Sequence, residues 1–530
     1  MKLRILLALL AAASCVVSVT ARADPEGDLK AKVDALQKQL DDLKAQLNQI
    51  TTSVQQTKQA QEEQEKKNSN FLTMEPGSGL TFVVPGGGSV QLYGNLDVSF
   101  DYATKGLASS YSQGGSPYGQ MGWEPDIATN LSYIGVRGQH PLQDVSFVWQ
   151  LEAGIDISAT PGTKNTTSNN SDAVNGALFS RNSYIGFAGK NWGAVKIGKS
   201  ETPYKTSTDR LNPFSGEEGD YRVILGNTGG DNRVEFGLRA AHAIWYESPN
   251  WNGVSFNAMW SPGQNRDDTS SIIASGEPDC TGQNLPGSGA LPPTCNDGSF
   301  GNLFSVNLAY LGGPLYLTTA YELHKNVNRT SDTIGLPTTP PQDTTGDPND
   351  IGDEWAFKVG GQYTFATKTT LNLLWERTHR SIPSYLEYQN ERTRNNATWL
   401  ALTQVLTEKD SVSFGWAHAG ATPGDPGQHN TPTTANPDNE SNMYALNWRH
   451  NIDRSTQFYA DWALTANHSA AHYDLGAGGH GVTTDCHDST PEAAFDPTAN
   501  NGAGGVTNSG PHCYAGGRLQ AFSVGVSYRF

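Results

Sequence analysis

Four of the five cysteines and five of the twelve histidines of this chain cluster where their types could do covalent or metal chemistry. Cys280, Cys295, Cys486 and Cys513 fall as two pairs inside two Gly/Pro/Asn-rich segments, and His468, His472, His480, His487 and His512 crowd the second segment. Paired thiols can close disulfides, and thiolates with imidazoles can hold a transition metal. Four cysteines allow three connectivities, of which the local pairs Cys280–Cys295 and Cys486–Cys513 close the shortest loops. The histidine spacing is irregular and matches no compact ligand motif, so disulfides are expected and no metal or other cofactor is. No nucleophile–base motif, phosphate-binding glycine loop or metalloprotease helix occurs, which argues against an enzyme.

Disulfides need an oxidising compartment, and the N-terminus reads as an export signal. Lys2 and Arg4 form a basic start, Ile5 to Val19 an apolar run and Ala21-Arg22-Ala23 a small-x-small cleavage site, so residues 1–23 are expected to be a signal peptide. The run is short for a membrane anchor, and Ala12-Ala13-Ser14 is a weak lead-in for a lipoprotein at Cys15. Formal charge is −17, and it becomes −20 once Lys2, Arg4 and Arg22 are removed. That balance argues against a nucleic-acid binder, which needs clustered basic residues. Glycine is 57 of 530 residues and only 36% are hydrophobic, while beyond the leader no apolar run is long enough to cross a bilayer as a helix. A helical membrane protein is excluded, and a β-rich chain with many turns remains.

Two textures follow. Over 24–67, Leu29, Val33, Leu36, Leu40, Leu43, Leu47, Ile50 and Val54 recur in alternating steps of four and three, an a/d heptad seam. A helix of this polarity cannot bury its seam alone, which predicts a coiled coil of about 60 Å; an amphipathic helix lying on a membrane is the alternative. Residues 68–88, with Pro76, Pro85 and three successive glycines, read as a linker. From Ser89 the period drops to two: Val90, Leu92, Leu96, Val98, Phe100 and Tyr102 alternate with Ser89, Gln91, Asn95, Asp97, Ser99 and Asp101.

Sixteen such runs are found, at 89–102, 129–139, 144–156, 177–189, 193–200, 239–248, 252–261, 301–311, 314–324, 353–366, 369–379, 395–406, 410–418, 440–450, 454–465 and 516–530. Short links such as 139–143 and 407–409 alternate with long polar ones such as 103–128, 201–238, 262–300 and 466–515. That sorting suits an outer-membrane barrel, with short periplasmic turns and long outer loops, better than a soluble sandwich. The expected fold is all-β, a 16-stranded antiparallel transmembrane β-barrel over 89–530 preceded by an N-terminal α-helical coiled coil. Aromatic residues near strand ends (Tyr102, Trp260, Tyr310, Trp355, Trp416, Trp448 and Trp462) fit interfacial girdles.

The segments SVQLYGNLDVSFDY at the barrel start, SYIGVRG at 132–138, FVWQLEAG at 147–154, LFSRNSYIGFAG at 178–189, WGAVKIGKS at 192–200, HAIWYESPNWNGVSF at 242–256 and the final Tyr528-Arg529-Phe530 resemble the general trimeric porins of Gram-negative outer membranes. The resemblance is strongest over 89–261 and at the C-terminal end; the added helical stalk departs from the best-known members. It implies a water-filled channel for passive diffusion of ions and small hydrophilic solutes, in outer-membrane lipid, as a homotrimer. It makes Tyr528 and Phe530 part of a signal for the barrel-assembly machinery, and a periplasmic stalk would have peptidoglycan within its reach. The resemblance also assigns a constriction. Loop 201–238, formal charge −3, should fold inward with an acidic tip at Glu217, Glu218 and Asp220. The tip would face a basic wall of Arg181 and Arg239 with Lys199. Tyr133 stands where one wall arginine is expected, with Arg137 as a partial replacement, and the balance implies a weak cation preference. If Arg181 faces the lumen, strict alternation also turns Ile185 and Phe187 inward; either the register shifts near Ser183 or that strand lies against a neighbouring protomer. A solute-selective channel and a structural or adhesive envelope barrel are the competing readings.

Overall fold

The computed structural model describes residues 30, 33–47, 72–75, 77, 79–84, 87–106, 112–113, 116–117, 121–155, 157–158, 181–226, 236–262, 300–328, 351–381, 392–422, 438–468, 471, 473–476 and 518–530. All four expected disulfide cysteines lie outside the described residues, as do residues 1–23, His472, His480, His487 and His512. The chain divides into two units, 1–71 and 72–530.

In the first unit a helix runs over 33–47, where Val33, Leu36, Leu40, Leu43 and Leu47 are exposed. Leu29, Ile50 and Val54 of the expected seam lie outside the described residues. What is described is therefore an N-terminal helix of 15 residues, about 22 Å long, rather than the rod of about 60 Å expected from the full seam.

The second unit is a closed barrel of sixteen antiparallel staves. A hairpin, β1 (Leu72–Glu75) and β2 (Gly79–Val84), precedes it and pairs with the start of β3 (Gly88–Gly106). The stretch read as a linker thus contains two short strands, because Leu80, Phe82 and Val84 alternate well enough to extend the sheet. The second stave is broken at 130–132 into β4 (Met121–Thr129) and β5 (Tyr133–Leu142), both paired with β3. The next are β6 (Val145–Gly154), β7 (Ser183–Gly189), β8 (Gly193–Glu201), β9 (Arg239–Glu247), β10 (Val254–Pro262), β11 (Asn302–Gly312) and β12 (Leu315–Asn328). Then come β13 (Ile351–Thr364), β14 (Thr369–Arg380), β15 (Arg392–Val405), β16 (Asp410–Ala419), β17 (Ser441–Asn451), β18 (Thr456–Asn467) and β19 (Arg518–Arg529).

Each stave pairs with its sequence neighbour, and β19 returns to β3 with Tyr528 opposite Leu96. The seam ends where Phe530 and Gly94 exchange both backbone hydrogen bonds, at 2.9 and 3.1 Å. A Cβ at Gly94 would lie 2.6 Å from the Phe530 ring, so glycine there lets the ring cross the seam. At the opposite extreme of chain economy, β11 and β12 are joined by Gly313 and Pro314 alone, and Gly313 has φ +54°.

Alternation sorts the two faces. Phe100, Ile185, Phe187, Val195, Ile197, Leu308, Leu317, Leu446, Phe522 and Val524 are exposed on the outside. A band of this size far exceeds what a monomeric soluble surface carries, and it has the chemistry of a lipid-facing belt. Tyr102, Trp260, Tyr310 and Trp448 of the expected girdles are among the exposed aromatics. Polar residues of the opposite phase, such as Asp97, Ser99 and Asp101 on β3, are buried inside.

Candidate pore constriction

Between β8 and β9 the chain turns into the barrel instead of away from it. Thr202 caps a short helix, Pro203–Thr206, by accepting from the Lys205 N–H, and 3-10 turns follow at Asp209–Leu211 and Tyr221–Val223. The loop lies on the lumen face of β11–β18. The Tyr204 N–H donates to Ser305 Oγ (2.9 Å) on β11 and its hydroxyl to Glu376 Oε2 (2.7 Å) on β14. Tyr316 on β12 donates to the Ser207 carbonyl (2.7 Å), and Lys358 Nζ on β13 donates to Thr208 Oγ1 (2.7 Å) while standing 4.0 Å over the Tyr204 ring. Farther along, Trp399 Nε1 on β15 donates to the Leu211 carbonyl (2.8 Å), and its ring meets Phe214 edge-on at 5.9 Å and Tyr221 at 5.1 Å.

The wall is cut to receive this bulk. Ala397, Ala401, Ala417, Ala445 and Ala463 are fully buried beneath the loop, with Leu211, Phe214 and Tyr221 in the same apolar cluster. A Cβ on Gly360 would approach Leu211 to 2.6 Å, and one on Gly415 would approach Phe214 to 2.8 Å. Two lumen carboxylates fix the far end: Glu376 Oε1 accepts from the Gly226 N–H (2.7 Å) and Glu322 Oε1 from the Gly237 N–H (2.9 Å). Burial holds the Tyr221 phenol above its ordinary range, so its hydroxyl remains a donor to Thr208 Oγ1 (2.8 Å) across the physiological pH range.

The acidic tip is structural at its centre. Asp220 is fully buried and accepts from Asn212 Nδ2 (2.8 Å) and the N–H groups of Gly216 (2.9 Å) and Arg222 (3.0 Å). Glu217 Oε2 accepts from Arg449 (2.6 Å) and Asn447 (3.0 Å), both on β17. Glu218 is fully buried, at a backbone bridge to Gly476.

The expected basic wall lies on the other side of the lumen. Arg181 Nε meets Glu152 Oε1 at 2.6 Å, and its guanidinium stands 4.8 Å over the Tyr133 ring. Arg239 donates to Glu201 (2.9 Å) and Asn182 (2.8 Å), and Glu201 also pairs with Lys205 (2.9 Å). Arg137 stands 4.7 Å over Tyr93. Lys199 lies opposite Ser183 in the ladder, beside an irregularity in the β8–β9 register at Gly198 (φ +145°).

Arg181 and Ile185 are reconciled by where β7 begins. Ser183 opens the strand; Arg181 lies ahead of it, its N–H donating to the Glu152 carbonyl (3.1 Å), while Ile185 and Phe187 point outward. The wall arginines Arg181 and Arg239 therefore have carboxylate partners of their own, and the tip acids Glu217 and Asp220 lie beside the guanidiniums of Arg449 and Arg222. Arg449, Glu152, Glu201, Lys205 and Trp399 complete the site. The inward phase of Arg449, Glu152 and Trp399 was readable from alternation and Glu201 and Lys205 belonged to the expected loop, but the partner of each, up to 232 residues away in the Arg449–Glu217 pair, was not.

The sequence profile described as Gram-negative porin matches residues 59–470. An outer membrane porin protein of Bordetella pertussis is 23% identical over 240 residues, which is 44% of this chain and 54% of that protein; the match spans about half the length of that relative. Among solved structures, the anion-selective porin from Comamonas acidovorans is 17% identical, with 84% of this chain and 100% of that one covered at a TM-score of 0.52. A loop-deletion mutant of OmpT, an outer membrane protein of Vibrio cholerae, is 14% identical, covering 84% of this chain and 99% of its own at a TM-score of 0.47. At these identities the likeness to the Comamonas protein is one of fold.

Proposed function

The chain belongs to the Gram-negative porin family, and on that premise we propose that its barrel is a water-filled outer-membrane channel for passive diffusion of ions and small hydrophilic solutes. The observation that carries this reading is the inward loop. It is pinned to one side of the lumen from Tyr204 to Gly226, and Arg181 and Arg239 stand on the opposite side, partly exposed and paired with Glu152 and Glu201. A barrel this wide selects by such a narrowing.

Cations of the loop and its surroundings, among them Arg181, Lys205, Arg210, Arg222, Arg239, Lys358 and Arg449, stand against carboxylates that include Glu152, Glu201, Asp209, Glu217, Glu218, Asp220, Glu322 and Glu376. Most are paired, and the three tip acids are buried. The weak cation preference expected from the formal loop charge is accordingly reduced, and weak selectivity of either sign follows. Planar-bilayer recordings test the channel: large ohmic steps in KCl are the expected result, and silence from inserted protein would sink the reading.

Assembly is part of the same proposal. The exposed seam from Val33 to Leu47 supports a coiled coil formed between copies, and the barrel would be a homotrimer. A periplasmic stalk near peptidoglycan, and recognition of Tyr528 and Phe530 by the barrel-assembly machinery, complete it; the closing hydrogen bonds of Phe530 with Gly94 support the latter.

A further inference from the structure

The lumen side not covered by the loop is tiled with aromatic rings and cations. On β3 and β5, Tyr93 and Tyr133 meet edge-on with centroids 6.2 Å apart. Arg137 stands over the first ring and Arg181 over the second. The arrangement is built into the backbone: a Cβ at Gly135 would lie 2.4 Å from the Tyr93 ring, so only glycine lets that ring lie across β5.

The hydrogen-bond ledger of this wall is one-sided. Glu152 Oε1 is taken by Arg181 and Oε2 by the Tyr93 hydroxyl (2.9 Å). Farther round, both Glu247 oxygens are taken by Lys196, and Oε1 also by Trp245 Nε1 (2.8 Å). A cationic or neutral polyhydroxyl solute would find these acceptors already engaged. Arg137 differs: it is exposed, and among the described residues it hydrogen-bonds through Nε, to Gln91 Oε1 (2.6 Å). Its two terminal nitrogens form an open fork of the kind that binds a carboxylate bidentately.

An open guanidinium fork beside two half-buried rings is complementary to a planar ring that carries a carboxylate. We propose that Arg137, Tyr93 and Tyr133 form a binding subsite for aromatic carboxylates within the lumen, the carboxylate on Arg137 and the ring against the tyrosines. The proposal rests on the channel reading and names a preferred solute class for it.

The test is block of single-channel KCl current by benzoate, with cyclohexanecarboxylate as a control of equal charge and similar size that lacks the flat π-face, and benzylamine as the cationic counterpart. Benzoate should block at concentrations several-fold below cyclohexanecarboxylate, and benzylamine should not block in that range. Arg137→Gln should raise the half-blocking benzoate concentration about tenfold, as loss of a charge-assisted hydrogen bond does. Tyr93→Leu should make the two carboxylates equivalent, and Tyr93→Phe should keep them distinct. The KCl steps of each variant report its insertion. Equal block by the two carboxylates in the unmodified protein, or benzoate block unchanged in Arg137→Gln, overturns the subsite while leaving the channel standing. Absence of KCl steps altogether overturns the channel reading and the subsite with it.

Discussion

On β15–β18 the lumen positions include Ala397, Ala401, Ala417, Ala445 and Ala463 with Gly415, set among Trp399, Asn447 and Arg449, and the inward loop lies directly on them. On β3–β8 the equivalent positions carry Tyr93, Tyr133, Arg137, Glu152, Tyr184 and Lys196. Both halves obey the same alternation, and both present an apolar outer face. Their lumen faces differ because they meet different things. Interiors pack to a fixed density, so where a loop supplies Leu211, Phe214 and Tyr221 the wall must supply small residues and a few well-aimed hydrogen bonds. Where water is the partner, long charged side chains can remain, provided each finds a counter-charge or stays solvated. Residue size along the inward phase therefore reports which side of a wide barrel is covered.

The strongest way to break the comparison is to turn the covered half into an uncovered one. Trp399 is fully buried and joins Leu211, Phe214 and Tyr221 of the loop to the wall. Trp399→Ala should remove about 3–5 kcal/mol of packing and leave the Leu211 carbonyl without its donor. The loop should detach while the barrel, held by its ladders, remains. Single-channel recordings in KCl should show a larger conductance and strong current flicker. A conductance equal to that of the unmodified protein would mean that the loop is held mainly by Glu322 and Glu376 at its far end.

The uncovered half responds to charge instead. Arg181→Ser with Arg239→Ser leaves Glu152 and Glu201 less compensated at the lumen surface. The cation-to-anion permeability ratio should rise about two- to threefold, equivalent to roughly 0.5 kcal/mol in ion free energy at the narrowing, and conductance should rise as two long side chains leave it. Reversal potential across a tenfold KCl gradient reads the ratio. An unchanged ratio would place the electrostatically decisive section elsewhere along the pore.

Most of the barrel was legible because alternation is a local signal. The runs at 301–311, 369–379 and 440–450 coincide with β11, β14 and β17 within a residue or two. The start of β7 was less legible, since Arg181 and Asn182 share the polarity of a lumen strand without belonging to one. The hairpin at Leu72–Val84 was hidden among glycines and prolines that usually mark a linker. In the site, the inward phase of Glu322, Lys358 and Glu376 followed from periodicity. That Glu376 would hold Tyr204 and Gly226, or that Glu217 would reach Arg449, depends on how a loop of some thirty-five residues lies across the lumen, which no local pattern encodes. The Ala and Gly run on β15–β17 was the available clue.

The smallest expected effect separates a charge that shapes the loop from one that acts on ions. Glu217 is 5% exposed at its side chain and bound to Arg449, itself 21% exposed, so seen from the pore the pair is close to neutral. Glu217→Gln removes the negative charge while keeping a carbonyl oxygen that can accept from Arg449 and Asn447, so the tip should stay docked and conductance should hold. Arg449 would then lack its carboxylate, and the permeability ratio should move toward anions, the direction opposite to the double arginine change. The shift should be less than about 1.5-fold, because the charge lies behind the loop and ionic screening reduces its reach over about 8 Å. The same tenfold gradient set at lower salt concentrations should enlarge it. A shift as large as that of the arginine pair would mean that the tip acids face the ion path, and that the covered side of the lumen contributes to selectivity as much as the uncovered one.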